Sequence, residues 1–261
     1  YEAGKVVSTG IKNTSIGART MQATTVGQEN VALGYQAMYT NVDGSKCVAI
    51  GANALLTQDP ASAVDMYNVA VGYNAGYAMT TGINNTLIGS LAGDALTTGS
   101  GSVALGYNAL GSTTTAIENV AIGINALVAN VDGAKNVAVG SYALTALDPA
   151  SATDMYNVAV GHQAGTAITT GTNNTIMGGL AADALTIGHN NIAIGYKALS
   201  TSVDGDYNVA IGYAALEDYE DGDGNGHNTA IGSSSQTNAS TGEFNTSLGS
   251  LSMGVGVVTG D

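Results

Sequence analysis

The densest cluster of metal-ligating atoms in the chain is Asp221-Gly222-Asp223-Gly224-Asn225-Gly226, which sets oxygen ligands at alternate positions and glycines where a tight turn is needed. Hard carboxylate and amide oxygens in that spacing match the first half of a calcium loop. The twelfth position of such a loop would fall on Gly232, so the bidentate glutamate is missing. Asp221, Asp223 and Asn225 are therefore expected either to hold Ca2+ or to form a solvated acidic loop, and no other cofactor is expected. A catalytic set does not emerge. His162, His189 and His227 lie in different repeats at unlike phases, with no serine or cysteine recurring beside them. Hydrolysis of a glycan needs a pair of carboxylates, and no such pair can be picked out among the turn Asp and Glu residues, so the chain is read as a non-enzyme. A fibre-borne glycan depolymerase stays as an alternative.

Two further rows could carry chemistry. Thr80-Thr81, Thr97-Thr98 and Thr114-Thr115 recur at an interval of 17. Stacked, they would make a flat row of hydroxyls of the kind an ice-binding surface uses, although threonine beside glycine is also ordinary turn chemistry. Tyr35, Tyr73, Tyr107, Tyr196 and Tyr213 each follow a recurring glycine. Such a row either shields the edge of a coil or offers aromatic faces on which the sugars of a glycan stack.

What must position these residues is a repeat. An Asn-Val-Ala-Ile-Gly pattern returns fourteen times, with its glycines spaced by 17 residues except for steps of 21 (Gly51 to Gly72 and Gly140 to Gly161) and 20 (Gly212 to Gly232). Such periodicity makes the chain one repeat domain, 1–261, with units near 13–249 and partial units at 1–12 and 250–261. The longer steps hold Asp59-Pro60-Ala61-Ser62, Asp148-Pro149-Ala150-Ser151 and the acidic run, which read as loops leaving a constant scaffold. A coarser duplication lies above the fine one, since 59–110 is nearly repeated as 148–199 at an offset of 89.

Within the motif, Val and Ile alternate with Ala, which is strand periodicity. The expectation is that the large residues, Ile122 among them, face into a coil, while the stripe of Ala32, Ala49, Ala70 and Ala121 faces out and permits close approach of another chain. Ten of the fourteen motif glycines are preceded seven residues earlier by another glycine, as at Gly27, Gly82 and Gly171, and this site is read as a left-handed turn. A helical solenoid is disfavoured because no helix-length stretch lacks a breaker. The fold class expected is all-β: a parallel β-solenoid of about 14 coils, each with a strand at the pentapeptide and a second short strand near the following Ala-Leu. Motif asparagines such as Asn30, Asn85, Asn136 and Asn174 would stack as an internal ladder, and fourteen coils at about 4.8 Å would make a rod of about 65 Å. Cys47 takes an asparagine's place and is expected to be a buried rung. A coil this thin encloses little, so a cyclic bundle, with three chains around one axis, is the expected assembly.

Composition narrows the partners. With 20 acidic against 6 basic residues and a net charge of −14, binding to nucleic-acid phosphates or insertion at an anionic membrane is not expected. No apolar run reaches membrane-spanning length. The chain opens at Tyr1 without an initiator Met, which suggests a mature product or an excerpt. Neither end shows a polar capping segment, so each is expected to abut further fibre or another copy, head to tail.

The pentapeptide followed three residues later by Ala, as in Ala126 after Gly123, Ala143 after Gly140 and Ala215 after Gly212, resembles the head repeats of YadA-like trimeric autotransporter adhesins. Similar arrays occur in phage tail fibres. The resemblance covers essentially the whole chain and implies a homotrimeric, left-handed parallel β-roll that binds a host surface or glycan receptor from an extracellular position, on a cell surface or a virion fibre. Ile50-Gly51-Ala52-Asn53-Ala54-Leu55 also fits one hexapeptide of the left-handed helix of acyltransferases, but there the hexapeptide fills the coil and here it occurs once per coil.

Overall fold

The computed structural model describes residues 2–5, 8–219, 226–239 and 242–253. Its contacts fall into two units, Tyr1–Asp132 and Gly133–Asp261. Each is a parallel β-solenoid, and no helix occurs among the described residues. In the first unit, strands β1 (Thr14–Ile16), β2 (Val31–Leu33), β4 (Val48–Ile50), β6 (Val69–Val71), β7 (Thr86–Ile88), β8 (Val103–Leu105) and β9 (Val120–Ile122) lie side by side in chain order. A two-stranded ladder of β3 (Gly44–Ser45) and β5 (Val64–Asp65) stands apart from them. The second unit repeats the plan with β11 (Val137–Val139), β13 (Val158–Val160), β14 (Thr175–Met177), β15 (Ile192–Ile194), β16 (Val209–Ile211), β17 (Thr229–Ile231) and β18 (Thr246–Leu248), and with its own side ladder of β10 (Gly133–Ala134) and β12 (Thr153–Asp154). Pairing is in register, so like stacks on like: Ala32 pairs Ala49, and Ala49 pairs Ala70 across the 21-residue step. The extra residues of that step leave the sheet undisturbed.

The facing of the strands is the reverse of the sequence expectation. Ala32, Ala49, Ala70, Ala104 and Ala121 are fully buried, as are Ala138, Ala159, Ala193 and Ala210 in the second unit. The flanking Val, Ile and Leu residues, Ile122 included, point outward and are half-buried or exposed. The reason lies across the coil. Its interior is filled from the opposite side by the Ala-Leu stretch, whose Ala54, Leu55, Ala109, Leu110, Ala126 and Leu127 are all fully buried. Little more than a methyl group then fits at the strand centre. Where a larger side chain does enter, glycine makes room. A Cβ on Gly76 would lie 2.9 Å from Leu87 Cδ1, and one on Gly93 would lie 2.9 Å from Leu87 Cδ2. Ile176 and Gly165 repeat the arrangement at the offset of the duplicated block, with a Cβ on Gly165 reaching 3.0 Å from Ile176 Cδ1.

The Ala-Leu stretch itself is not a strand. Positive φ recurs two and four residues after the motif glycine, as at Asn53 (60°) and Leu55 (48°) or Asn108 (56°) and Leu110 (55°), and this breaks extended geometry. A left-handed conformation costs a non-glycine residue about 1–2 kcal/mol. It is held by hydrogen bonds from coil to coil, such as Asn53 N to Tyr35 O at 2.8 Å and Leu55 N to Ala75 O at 3.0 Å.

The two glycine classes also exchange roles. Of the glycines seven residues before the motif glycine, Gly242 alone has positive φ. Gly27, Gly82 and Gly171 are needed instead for close approach, because a Cβ on any of them would fall within 2.5 Å of a carbonyl oxygen in the next coil. It is the motif glycine that turns the chain. All fourteen have φ between 120° and 145°, and a Cβ there would again meet the next coil, as at Gly106, where it would stand 2.6 Å from Gly123 O.

This packing predicts that Leu87→Ala, which empties a fully buried site flanked by glycines, lowers stability by about 2–5 kcal/mol. Leu105→Ala, on the outward face of the neighbouring strand, should change the stability of the isolated chain by less than half as much. Urea denaturation of both variants checks the pair.

Candidate functional site

The polar spine of each coil is the motif asparagine. Asn68 Nδ2 donates to Gly82 O at 2.7 Å, and Asn68 Oδ1 accepts from Asn85 N at 2.9 Å. Asn85 repeats both bonds toward Gly99 O and Ser102 N, and Asn174 repeats them toward Gly188 O and Asn191 N. The amides are fully buried, as the ladder reading expected, but their main partners are the backbone groups of the next coil rather than one another. Each side chain thereby ties two backbone groups, three residues apart, in the neighbouring coil. Cys47 is a buried rung in this column, with its N donating to Asn30 Oδ1 and Gln58 Nε2 lying 3.3 Å from Sγ. Burial pushes its thiol above the usual range, which suits a structural residue and not a nucleophile.

Asp221, Asp223 and Asn225 lie outside the described residues. Among the described residues no group of three or more His, Cys, Asp or Glu side chains is arranged to hold a metal. The three histidines are not brought together. His162 packs edge-on against Tyr142, with ring centroids 6.2 Å apart. His189 Nδ1 lies 3.0 Å from Thr172 N, while its own N bonds Asp206 Oδ1. His227 is sandwiched between Tyr207 and Phe244 at 4.8 and 4.9 Å, nearly parallel to both. That exposed stack was not anticipated. The signal for it was present, since Tyr207, His227 and Phe244 each immediately precede a motif asparagine and are held at positive φ of 53°–59°.

The threonine row is split: Thr80 Oγ1 donates to Thr97 O and Thr97 Oγ1 to Thr114 O, bonding backbone between coils, whereas Thr115 Oγ1 donates to Asp132 Oδ1 and Thr81 and Thr98 are exposed. Tyr35, Tyr73, Tyr107, Tyr196 and Tyr213 all stand at the surface, each about half exposed. Tyr196 and Tyr213, on adjacent coils, stack at 5.8 Å.

Charge is organised by the longer coils. Lys46 Nζ lies 2.7 Å from Asp65 Oδ2 and 3.3 Å from Tyr67 Oη, and Tyr67 Oη lies 3.1 Å from the same carboxylate. Lys135, Asp154 and Tyr156 reproduce the trio in the second unit. The lysine hydrogen bond holds Asp65 and Asp154 below the usual carboxylate range, and the reciprocal bond raises both lysines. Sequence reading missed these pins because Lys and Asp sit 19 residues apart, a spacing that means contact only once the 21-residue coil is folded. Asp94 and Asp183 behave oppositely. Each leaves Oδ1 buried without a partner, and burial raises both carboxyls.

The broadest surface feature is aliphatic. In each unit the outward residues of the strands, such as Val31 and Leu33, Val103 and Leu105, or Ile192 and Ile194, form an apolar strip that threonine interrupts in its first column, at Thr86 and at Thr175. Val48, Ile50, Val69 and Val71 continue it across the longer coil.

The asparagine spine predicts that Asn85→Ala, which strips one buried donor and one buried acceptor from the next coil, costs about 1–3 kcal/mol. Asn84→Gly, which preserves the left-handed backbone beside it, should be close to neutral in the same denaturation assay. A pH prediction follows from the burial of Asp94. Its folded-state carboxyl is raised, so the fold favours the protonated form. Its contribution is greatest below the unfolded carboxylate value and declines as pH rises through the folded value. Asp94→Asn should therefore raise the melting temperature at pH 7 and leave it nearly unchanged at pH 3. Comparison with protein-family models, curated proteins and solved structures returned no match to this chain, and the family resemblance stands on the pentapeptide alone.

Proposed function

We propose that this chain is a structural and adhesive repeat segment of an extracellular or virion surface fibre, assembled as a parallel homotrimer of left-handed β-rolls, that attaches multivalently to a host surface or glycan. The observation that carries the reading is the aliphatic strip. Soluble monomers rarely leave a contiguous apolar patch larger than a few hundred Å² in water, and here each strand of the main sheet from β2 to β9 carries at least one Val, Ile or Leu on its outward face. A second copy is the occupant that fits. A cyclic axis parallel to the coil stack sets each strand level with its own image, so the period of one strip matches the period of the next. The resemblance to trimeric adhesin heads supports three as the number of chains. Attachment then follows from repetition, because weak contacts displayed many times on three chains give an avidity that no single site supplies.

Sedimentation equilibrium of the purified protein should return three times the 25.8 kDa chain mass. Ile122→Asp and Leu105→Asp introduce a charge on the outward strip and should dissociate the assembly while far-UV circular dichroism retains its β signature. Cell-surface binding should fall by more than the threefold loss of valency. A wild-type chain that stays monomeric at all concentrations would overturn the trimer, and unchanged cell binding by dissociated variants would overturn multivalent attachment.

A further inference from the structure

Tyr35, Tyr73 and Tyr107 occupy one position of the coil, directly after Gly34, Gly72 and Gly106. The strand register from β2 through β4, β6 and β7 to β8 places them two coils apart each time, including across the 21-residue step. Between them stand Ala52 and Ser90. The small residue leaves space for a ring to lie over it, as in the second unit, where a Cβ added to Gly179 would come 3.6 Å from Cδ2 of Tyr196 in the next coil. Each tyrosine is about half exposed, and its backbone is tied to a neighbouring coil, with Asn53 N on Tyr35 O at 2.8 Å and Leu91 N on Tyr73 O at 2.9 Å. An amide side chain follows each ring: Gln36, Asn74 and Asn108. Asn74 Oδ1 accepts from Asn53 Nδ2 and Asn108 Nδ2 donates to Asn125 Oδ1, both at 3.0 Å. Asn74 Nδ2 and Asn108 Oδ1 are thus left without a partner among the described residues.

We infer that Tyr35, Tyr73 and Tyr107 form a track for an extended β-1,4-linked hexose polymer lying along the coil stack, with every second sugar ring on a tyrosine. The tyrosines recur every two strand spacings, about 9.6 Å. A flat two-fold β-linked chain turns the same ring face to one side at every second residue, and advances by a closely similar length over that pair. The C–H face of the sugar packs on the aromatic ring, while the free amide atoms of Asn74 and Asn108 meet hydroxyls along the edge. An α-linked glucan coils instead and cannot follow a straight row. The inference rests on the reading of the chain as an attachment segment and names the ligand class for it.

The test is titration calorimetry of the assembled protein with cellohexaose, N-acetylchitohexaose and maltohexaose. At least one β-linked hexamer should bind about tenfold or more tightly than maltohexaose. Each of Tyr35→Ala, Tyr73→Ala and Tyr107→Ala should weaken it by about two- to tenfold, with melting temperatures unchanged. The deciding variant pairs Tyr73→Ala with Ala52→Tyr, which keeps three tyrosines but destroys their spacing; its affinity should fall at least as far as that of Tyr73→Ala alone. Absence of binding by both β-linked hexamers, equal binding of maltohexaose, or wild-type affinity in the spacing variant would each overturn the track. A protein that attaches to cells yet binds none of the three probes would sink the glycan track and leave attachment standing, whereas probe binding without cell attachment would do the reverse.

Discussion

Parallel backbones held one strand spacing apart leave no room for a methyl group at the motif glycine, where a Cβ would stand 2.3–2.6 Å from the next coil's carbonyl oxygen across Gly17, Gly72, Gly106 and Gly195. The same approach brings every coil's backbone donors within reach of the asparagine below. Glycine supplies the space and the φ near 137° that turns the chain, and asparagine satisfies the buried amides that the turn would otherwise orphan. A coil lacking the glycine could not descend onto its neighbour, and where the asparagine is replaced another side chain takes over the bond to the next coil, as Ser102 Oγ accepts from Asn119 N at 3.3 Å.

From that approach follows the division of labour around the coil. The interior is narrow, so it takes Ala from the strand and Leu from the opposite stretch, with Gly76, Gly93 and Gly165 admitting the two larger strand residues, Leu87 and Ile176. At the motif strand, the larger side chains on either side of the central residue are turned outward. The strands' Val, Ile and Leu side chains become a surface strip, the tyrosines after the glycine become a second row, and the residues before the asparagine, or before Cys47 in its place, become a third, charged in Lys46 and Lys135 and aromatic in Tyr207, His227 and Phe244. A solenoid this thin is stabilised chiefly along its axis, by bonds from coil to coil.

Much of this was legible in the chain itself. The strand at the pentapeptide, the in-register stacking, the internal asparagine column and the burial of Cys47 all follow from periodicity of 17 and from the residue types at each phase. The facing of the strand did not follow. Alternation of Val, Ala and Ile states that two faces differ, but not which is inside, and the usual rule that larger apolar residues go inward fails when the opposite wall already fills the core. Two glycines per repeat likewise announce two special sites without saying which is special for its dihedral and which for its neighbour's oxygen. The Lys-Asp pins were not legible because their members are 19 residues apart, off the 17-residue period, and meet only once the 21-residue coil has closed, whereas the phase shared by Tyr207, His227 and Phe244 already marked the His227 stack.

By itself, then, the sequence determined the period, the parallel register and the chemical identity of each column, because those depend on which residue recurs at which interval and on hydrogen bonding between adjacent copies. Tertiary structure alone decided the direction in which each column points, since inside and outside are properties of a closed coil of finite width. Ala121 and Leu127 are both fully buried while Ile122 is only half-buried, and no local pattern within Asn119-Val120-Ala121-Ile122-Gly123 contains that fact.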